Sequence, residues 1–551
     1  MKKNIIKHKI LIIFTFILLL GSILRLWHLG ATPISLTWDE VALGYNAYSI
    51  FETGKDEFGK TFPIVMRSFD DYKPAFYTYL IIPIYQIFGL NEFSVRLPSA
   101  LMGILTLVSV YFLVKKLFGK KYIALLVMFM MAISPWHIQF SRVGFESNVG
   151  LALNVFAATF FLYGLKRPWM LIFSAIFAGL SIHTYQSDRV FTPLFMLGMI
   201  IIFFKPLIKV PKKYIILSFA AGLIVVLPLV IFIFNDSNAL LRAKGTSIFS
   251  NNTSLLKDNV KRNEYNISSN NELGKILDNR RIVYLKATLD GYLSHFNPNW
   301  LLHGDIARHH APEMGLIYIW EYPFILIGIY ILLFSKFRMR TKLFIFFWFL
   351  LAPLPASITT GVPHGVRTLN FLPTWQIFTA LGLIAAYGSI STFKHKVINI
   401  KIKYILIVLF LLFAGFNFTY YLNQYFVQQN YFHAEDWLYG HKEVMQEVLK
   451  REGNFSKVII TNKEPFDRSN MYYLFYSKYS PQKYQNSNPS SGGFAVLPEF
   501  GKYSFRPINW KEDESLTDTL VVGLPSEIPQ SSASFTVYYP DGRPAAVIVE
   551  K

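Results

Sequence analysis

Long apolar stretches separated by short basic links fill the first three quarters of the chain. Runs of this kind read as membrane-spanning helices, because hydrocarbon leaves no solvent for unpaired backbone groups. The pattern predicts eleven spans, at 10–29, 95–114, 122–140, 148–164, 169–185, 190–204, 214–234, 315–335, 343–358, 368–390 and 404–423. The first follows MKKNIIKHK, a start resembling that of a signal peptide. It is long for such a segment and no small-residue cleavage site follows, so it is expected to be a retained helix. Residues 75–89, AFYTYLIIPIYQIFG, are apolar but short, and are expected to form an interfacial or re-entrant helix.

Three regions remain outside this pattern: a first outer loop at 30–94, a long loop at 235–314, and a tail from 424 to 551. The tail is polar and mixes periods. HKEVMQEVLKREG is an amphipathic helix, SKVIITNK a buried strand and NMYYLFYSKYS a second helix. TDTLVVGLP is another strand, and SFTVYYPDGRPAAVIVEK a hairpin about Asp541-Gly542. The fold class is therefore an α-helical polytopic membrane protein: a transmembrane domain at 1–423, then a small C-terminal extracytoplasmic α/β domain at 424–551.

Composition supports this picture. The chain is 53% hydrophobic and only 16% charged, which excludes disorder and an ordinary soluble globule. Cysteine is absent, which excludes disulfides, thiolate metal sites and a cysteine nucleophile. The net charge of +20 would suggest a polyanion partner if it were spread evenly. It is not: the links 1–9, 115–121, 165–168, 205–213, 336–342 and 393–403 hold 22 Lys and Arg and no Asp or Glu. The remainder of the chain has 32 basic and 34 acidic residues. The positive-inside rule places all six links in the cytoplasm, with the three larger regions outside. Nucleic acid is not an expected partner, and a multi-pass plasma-membrane location is.

Candidate chemistry lies in the outer segments. Asp39 and Glu40, in TWDEVALGYNAYSIFETG, begin a helix just after the first span. Adjacent carboxylates there serve as general base, acceptor-orienting group or metal ligand. Acidic residues also occupy first turns simply to complement the helix dipole. In SFDDYKPAFYTYL, Lys73 stands at headgroup level, placed either to hold a phosphate as a point charge or to snorkel. Asp70 and Asp71 beside it suggest a site that needs a carboxylate as well as a phosphate contact, with Tyr72 between.

Arg142 and Glu146 follow the third span, where arginine either pairs with phosphate bidentately or anchors the span. IHTYQSDRV adds His183, Asp188 and Arg189. LLHGDIARHHAPEMG gathers His303, Asp305, Arg308, His309 and His310, as a substrate-positioning or structural loop whose spacing fits no metal motif. TTGVPHGVRTLNFLP places His364 and Arg367 at the outer ends of the ninth and tenth spans, suited to closing a donor pocket.

The order TWDE, then DYKPAFYTYL, then NEFSVRLPSALMGIL resembles the polyprenyl-phosphate-sugar-dependent membrane glycosyltransferases of the GT-C type. Their kin include the bacterial relatives of protein O-mannosyltransferases and of the aminoarabinose transferases that modify lipid A. The layout resembles that family over 1–423, the specific motifs over about 36–103. The resemblance implies sugar transfer with inversion from a lipid-phosphate donor. It implies Asp39 as the catalytic carboxylate, Glu40 as its acidic neighbour and Lys73 as a contact to the lipid phosphate. Arg142 and Arg367 are candidate phosphate helpers, and Asp71, Tyr72, Asp305, Arg308, His309 and His364 candidate positioning residues. The expected partners are the lipid donor, membrane lipids, and an acceptor that is a protein, lipid or glycan. These residues specify no cofactor, and a divalent metal is compatible with the carboxylates.

Two other classes share the layout. A flippase or transporter calls for ionisable residues near the membrane midplane, whereas here they collect at the outer ends. A glycan polymerase or ligase calls for key residues in a large late loop, and 235–314 is long enough for that.

Overall fold

The computed structural model describes residues 2–69, 71–236, 239, 241–250, 253–392, 400–487 and 499–551. Asp70 and most of the sixth basic link lie outside the described residues. Helices stand at all eleven predicted positions. Seven are long and apolar enough to cross a membrane, and the pair Lys121–Ile133 and Pro135–Ser141, bent by 60°, makes an eighth. The break falls at Ser134-Pro135, where proline has no N–H to continue the ladder.

The other three, Met170–Ile182, Asp188–Ile202 and Glu321–Phe334, have 13 to 15 residues. At 1.5 Å per residue they reach roughly 20 Å of a hydrocarbon core about 30 Å thick. Of the eleven predicted spans, eight are thus long enough to cross by length and composition, and three are shorter helices. Residues 76–88 form a helix of 13 residues, as expected too short to span.

Among the described residues, basic side chains of the first, second, third and fifth links come together at one end of the bundle. Lys116, Lys120, Lys336 and Arg338 border one crevice, and Lys7, His8, Lys115 and Lys121 a second. Helices Lys212–Asn235 and Lys403–Phe432 lie at the periphery with few of their side chains buried, as suits contact with lipid.

The last bundle helix does not stop at 423. It passes through a π turn at Gln424–Gln428 and ends at Phe432. The tail then forms a five-stranded sheet. With β1 (Val65–Ser68) and β2 (Asp71–Pro74) in the first outer loop, its strands are β3 (Lys457–Ile460), β4 (Tyr503–Phe505), β5 (Thr519–Gly523), β6 (Phe535–Tyr538) and β7 (Pro544–Glu550). Their order is β4-β3-β5-β7-β6, with β3 parallel to both neighbours and β7 antiparallel to both of its own. The predicted strands and hairpin are all present; β4, only three residues long, carried too little pattern to be read.

The tail shares a core with the first outer loop. Leu36, Val41 and Tyr45 pack in one cluster with Val444, Tyr472 and Phe475. Tyr472 Oη donates to the Leu36 carbonyl at 2.8 Å, and Tyr45 Oη to that of Tyr479 at 3.0 Å. Gly44 permits this approach: a Cβ there would lie 2.5 Å from the Phe475 ring and 2.8 Å from Val95.

Candidate active site

The sequence TWDE separates its two carboxylates by geometry. Thr37 is the N-cap of helix Trp38–Thr53, and Glu40 is its N3 residue, closing a capping box. The Thr37 N–H donates to Glu40 Oε2 at 3.0 Å, and the Glu40 N–H to Thr37 Oγ1 at 3.4 Å. Glu40 therefore turns back beneath the helix. There Arg96 Nε donates to its Oε1 at 2.9 Å, as does the Gly144 N–H. The Glu40–Arg96 pair is almost wholly buried. The remaining nitrogens of Arg96 bind the carbonyls of Leu29, Pro33 and Ser35. Asp39, one residue earlier, points the other way, and its side chain is 44% exposed.

That exposure opens into a cavity of about 250 Å³ at the end of the bundle opposite the basic links. Six separate segments line it. The first outer loop supplies Trp38, Asp39, Tyr72 and Lys73, and helix Glu146–Gly164 supplies Glu146 at its first turn. Tyr185 and Gln186, Arg242, Arg308 with His309, and His364 complete the wall.

Hairpin β1–β2 delivers Lys73: Met66 stands opposite it and Ser68 opposite Asp71. Gln186 Nε2 holds the Tyr72 carbonyl at 3.1 Å. Lys73 Nζ donates to Asp39 Oδ1, and Arg242 forms an ion pair with Asp71 that ties the long loop to the hairpin. Arg308 lies 4.7 Å from the centre of the Trp38 ring, stacked on its face.

The charges tune one another. Enclosure by protein would raise the Asp39 carboxyl, but the Lys73 ammonium, its hydrogen bond, and Arg242 and Arg308 prevail and hold it below its usual range. Desolvation would lower Lys73; Asp39, Glu146 and Asp71 raise it instead. His309 is pushed down to about 3, first by burial and then by His310, Arg308 and Arg367. The cavity at neutral pH thus presents the Asp39 carboxylate, the cations of Lys73, Arg242 and Arg308, and the neutral imidazoles of His309 and His364.

A second cavity of about 360 Å³ shares Tyr185, Gln186 and Arg242 with the first. It is more apolar, and Arg189 and Arg367 also face it. Arg367 donates at 2.6 Å to Thr359 Oγ1 and to the Thr360 carbonyl. Nε and Nη2 of Arg189 are buried with no hydrogen-bond partner. Together the two cavities can hold an anion between cations, beside a carboxylate and an apolar wall.

The remaining sequence candidates are placed elsewhere. Glu40 is a capping and ion-pair residue, as described. Arg142 is fully buried away from the cavity. It donates to the carbonyls of Leu24 and Thr32 at 3.0 Å each, and its guanidinium stacks against Phe426. It splints the turn after the first helix and has no access to a phosphate.

Asp71 holds Arg242 from behind. Asp305 accepts from Trp300 Nε1 at 3.1 Å and from the Ile306 N–H at 2.8 Å, and so caps its own loop. His303 and His310 bond to the carbonyls of Asn299 and Ala311, so that histidine-rich loop sends Ile306, Arg308 and His309 to the cavity. His183 bonds the Val225 carbonyl, and Asp188 joins Asn154 and Asn370 in a buried network. Among the described residues no three His, Asp or Glu gather closely enough to hold a metal.

Sequence reasoning missed Arg242, Tyr185, Gln186 and Trp38. Arg242 is one of many basic residues in a loop without a motif, and nothing local distinguishes it. The capping box also went unread, although T-x-x-E carries its pattern.

Residues 72–232 match the dolichyl-phosphate-mannose-protein mannosyltransferase family. An uncharacterised protein of Aquifex aeolicus is 28% identical over 191 residues, 34% of this chain and 36% of that protein's length. In structure, the chain is similar to ArnT from Cupriavidus metallidurans bound to undecaprenyl phosphate. The TM-score is 0.53 at 11% identity, over 98% of this chain and 97% of that one. It is also similar to an oligosaccharyltransferase of Archaeoglobus fulgidus tethered to an acceptor peptide. There the TM-score is 0.51 at 15% identity, over 98% of this chain and 74% of that one. The chain thus shares its fold with these two structures, and its residues 72–232 match the dolichyl-phosphate-mannose-protein mannosyltransferase family model.

Proposed function

We propose that this protein is an integral membrane glycosyltransferase that moves a sugar from a polyprenyl-phosphate-linked donor to an acceptor on the extracytoplasmic face, with inversion. The observation that carries this reading is the pairing of Asp39 with Lys73 in a cavity that also holds Arg242 and adjoins an apolar cavity with two further arginines. The positive-inside rule, applied to the basic links at the opposite end, supports a site that faces away from the cytoplasm.

The donor's phosphate sits between Lys73 and Arg242, with the first isoprene units in the second cavity near Arg367. Asp39 accepts the proton of the acceptor hydroxyl as its oxygen bonds to the anomeric carbon. The bond from that carbon to the phosphate oxygen breaks on the opposite face, and its electron pair leaves with the lipid phosphate. Lys73 and Arg242 stabilise the charge that develops there. The acceptor approaches from the Trp38, Arg308 and His309 side.

The test uses membranes that supply the acceptor and a labelled polyprenyl-phosphate-sugar. Asp39→Asn should abolish both sugar incorporation and release of polyprenyl phosphate while the protein stays folded. Undiminished turnover by the folded variant would overturn the assignment.

A further inference from the structure

We infer that the helical layer formed by Thr253–Ser268, Glu272–Leu277 and Arg280–Ser294 lies on the membrane surface at the active-site end of the bundle, its leucine face seated in the lipid headgroup and acyl boundary. Helix Arg280–Ser294 carries Leu285, Leu289 and Leu293 at four-residue spacing, and each is more than half exposed. Positions four apart line one face of a helix, so these form a continuous stripe. In the preceding helix Leu273, Ile276 and Leu277 are likewise exposed. A stripe of this kind facing water would be costly, at about 25 cal/mol for each Å² of apolar surface.

Contacts to the bundle identify what covers it. Tyr292, about 20° round the axis from Leu285, donates its Oη to the Leu350 carbonyl at 2.7 Å. Leu350 is itself half exposed, on the spanning helix Met339–Ser357. Gly291, on the far side of the same helix, lies against the Ser357 carbonyl. The Gly291 side thus packs on the bundle and the leucine side opposite it is exposed, with Tyr292 at its edge reaching the level where a lipid-facing helix ends.

Arg281 and Lys286 flank the stripe on either side, as on helices that lie in the plane of a bilayer with their cations at the phosphates. The layer continues from Leu241–Thr246, the helix that carries Arg242, and Ser247 pairs with Thr359 at the rim of the second cavity. Seating this layer on the lipid surface fixes that rim at membrane level, and holds independently of which lipid is the substrate.

Because the chain has no cysteine, a single introduced thiol can be labelled uniquely. In the full-length protein reconstituted in vesicles, a bimane label at Leu289→Cys is compared with labels at lipid-facing Ile224→Cys and water-facing Lys511→Cys. The expected result is a several-fold excess of quenching by doxyl-labelled phospholipid over aqueous iodide at Leu289→Cys, following Ile224→Cys. Iodide quenching equal to that at Lys511→Cys would overturn the proposal. So would shielding from both quenchers, which would mean that protein covers the stripe.

Discussion

Two adjacent carboxylates should respond in opposite ways to substitution. Glu40→Ala removes the anion from a buried guanidinium. Arg96 keeps its three carbonyl contacts but loses its counter-charge, and the Thr37 and Gly144 N–H groups lose their acceptor. Breaking a buried ion pair from one side costs about 3–5 kcal/mol, and loss of an N-cap interaction adds about 1 kcal/mol. Much of a typical domain's stability would go. Asp39→Asn leaves that network intact, and the pair it breaks with Lys73 is half exposed on the aspartate side, so its cost is at most about 1 kcal/mol. Its effect falls on turnover, at about 10²–10⁴-fold for loss of a general base.

The assay is thermal unfolding of both purified variants in one detergent, alongside sugar transfer in vesicles. Glu40→Ala should unfold well below the wild type or fail to accumulate; Asp39→Asn should unfold near it and be inactive. A wild-type midpoint for Glu40→Ala, or a marked drop for Asp39→Asn, would refute the division of labour between the two residues.

Three further outcomes follow from the geometry. Asp39 is held below the usual carboxyl range, so its charge is lost only as pH falls through that lowered value. Activity should persist down to about pH 4, and in Lys73→Met the acid limb should move upward in a pH–rate profile. His441, stacked on Tyr472 and Phe466, is pushed down to about 4 by burial. The unfolded chain therefore binds its proton first, and stability should fall as pH drops below about 6.5; His441→Gln should flatten that slope in thermal melts. Gly44→Val should force Phe475 away at a cost of about 1–3 kcal/mol, and limited proteolysis should then release the tail faster.

Much of this molecule was legible in its sequence because hydrocarbon imposes a simple rule. Apolar length and basic links located every bundle helix and gathered the links at one end. Apolar length overestimated Met170–Ile182 and Glu321–Phe334, since apolar residues continue there into turns that are not helical, whereas Asp188–Ile202 has the expected 15 residues. Asp39 and Lys73 were singled out because each sits at the edge of an apolar run, where a charge needs a reason.

Glu40 and Arg142 show where local reading stops. Both looked like site residues, yet the first closes a capping box and the second binds two carbonyls more than a hundred positions earlier in the chain. Arg242 shows the converse, since only folding of the long loop against Asp71 brings it to the cavity. The tail's strands were readable from their alternation, but nothing in it announced that Tyr472 and Phe475 would pack against the loop that carries Asp39.

The central claim is that Lys73 and Arg242 hold a lipid-linked phosphate beside Asp39. Native mass spectrometry of the purified protein with added polyprenyl phosphate tests it most directly. The wild type should carry one lipid, and the adduct should be lost in Lys73→Ala and Arg242→Ala but kept in Asp39→Asn. An adduct that survives both cation substitutions, or no adduct on the wild type, would contradict the account.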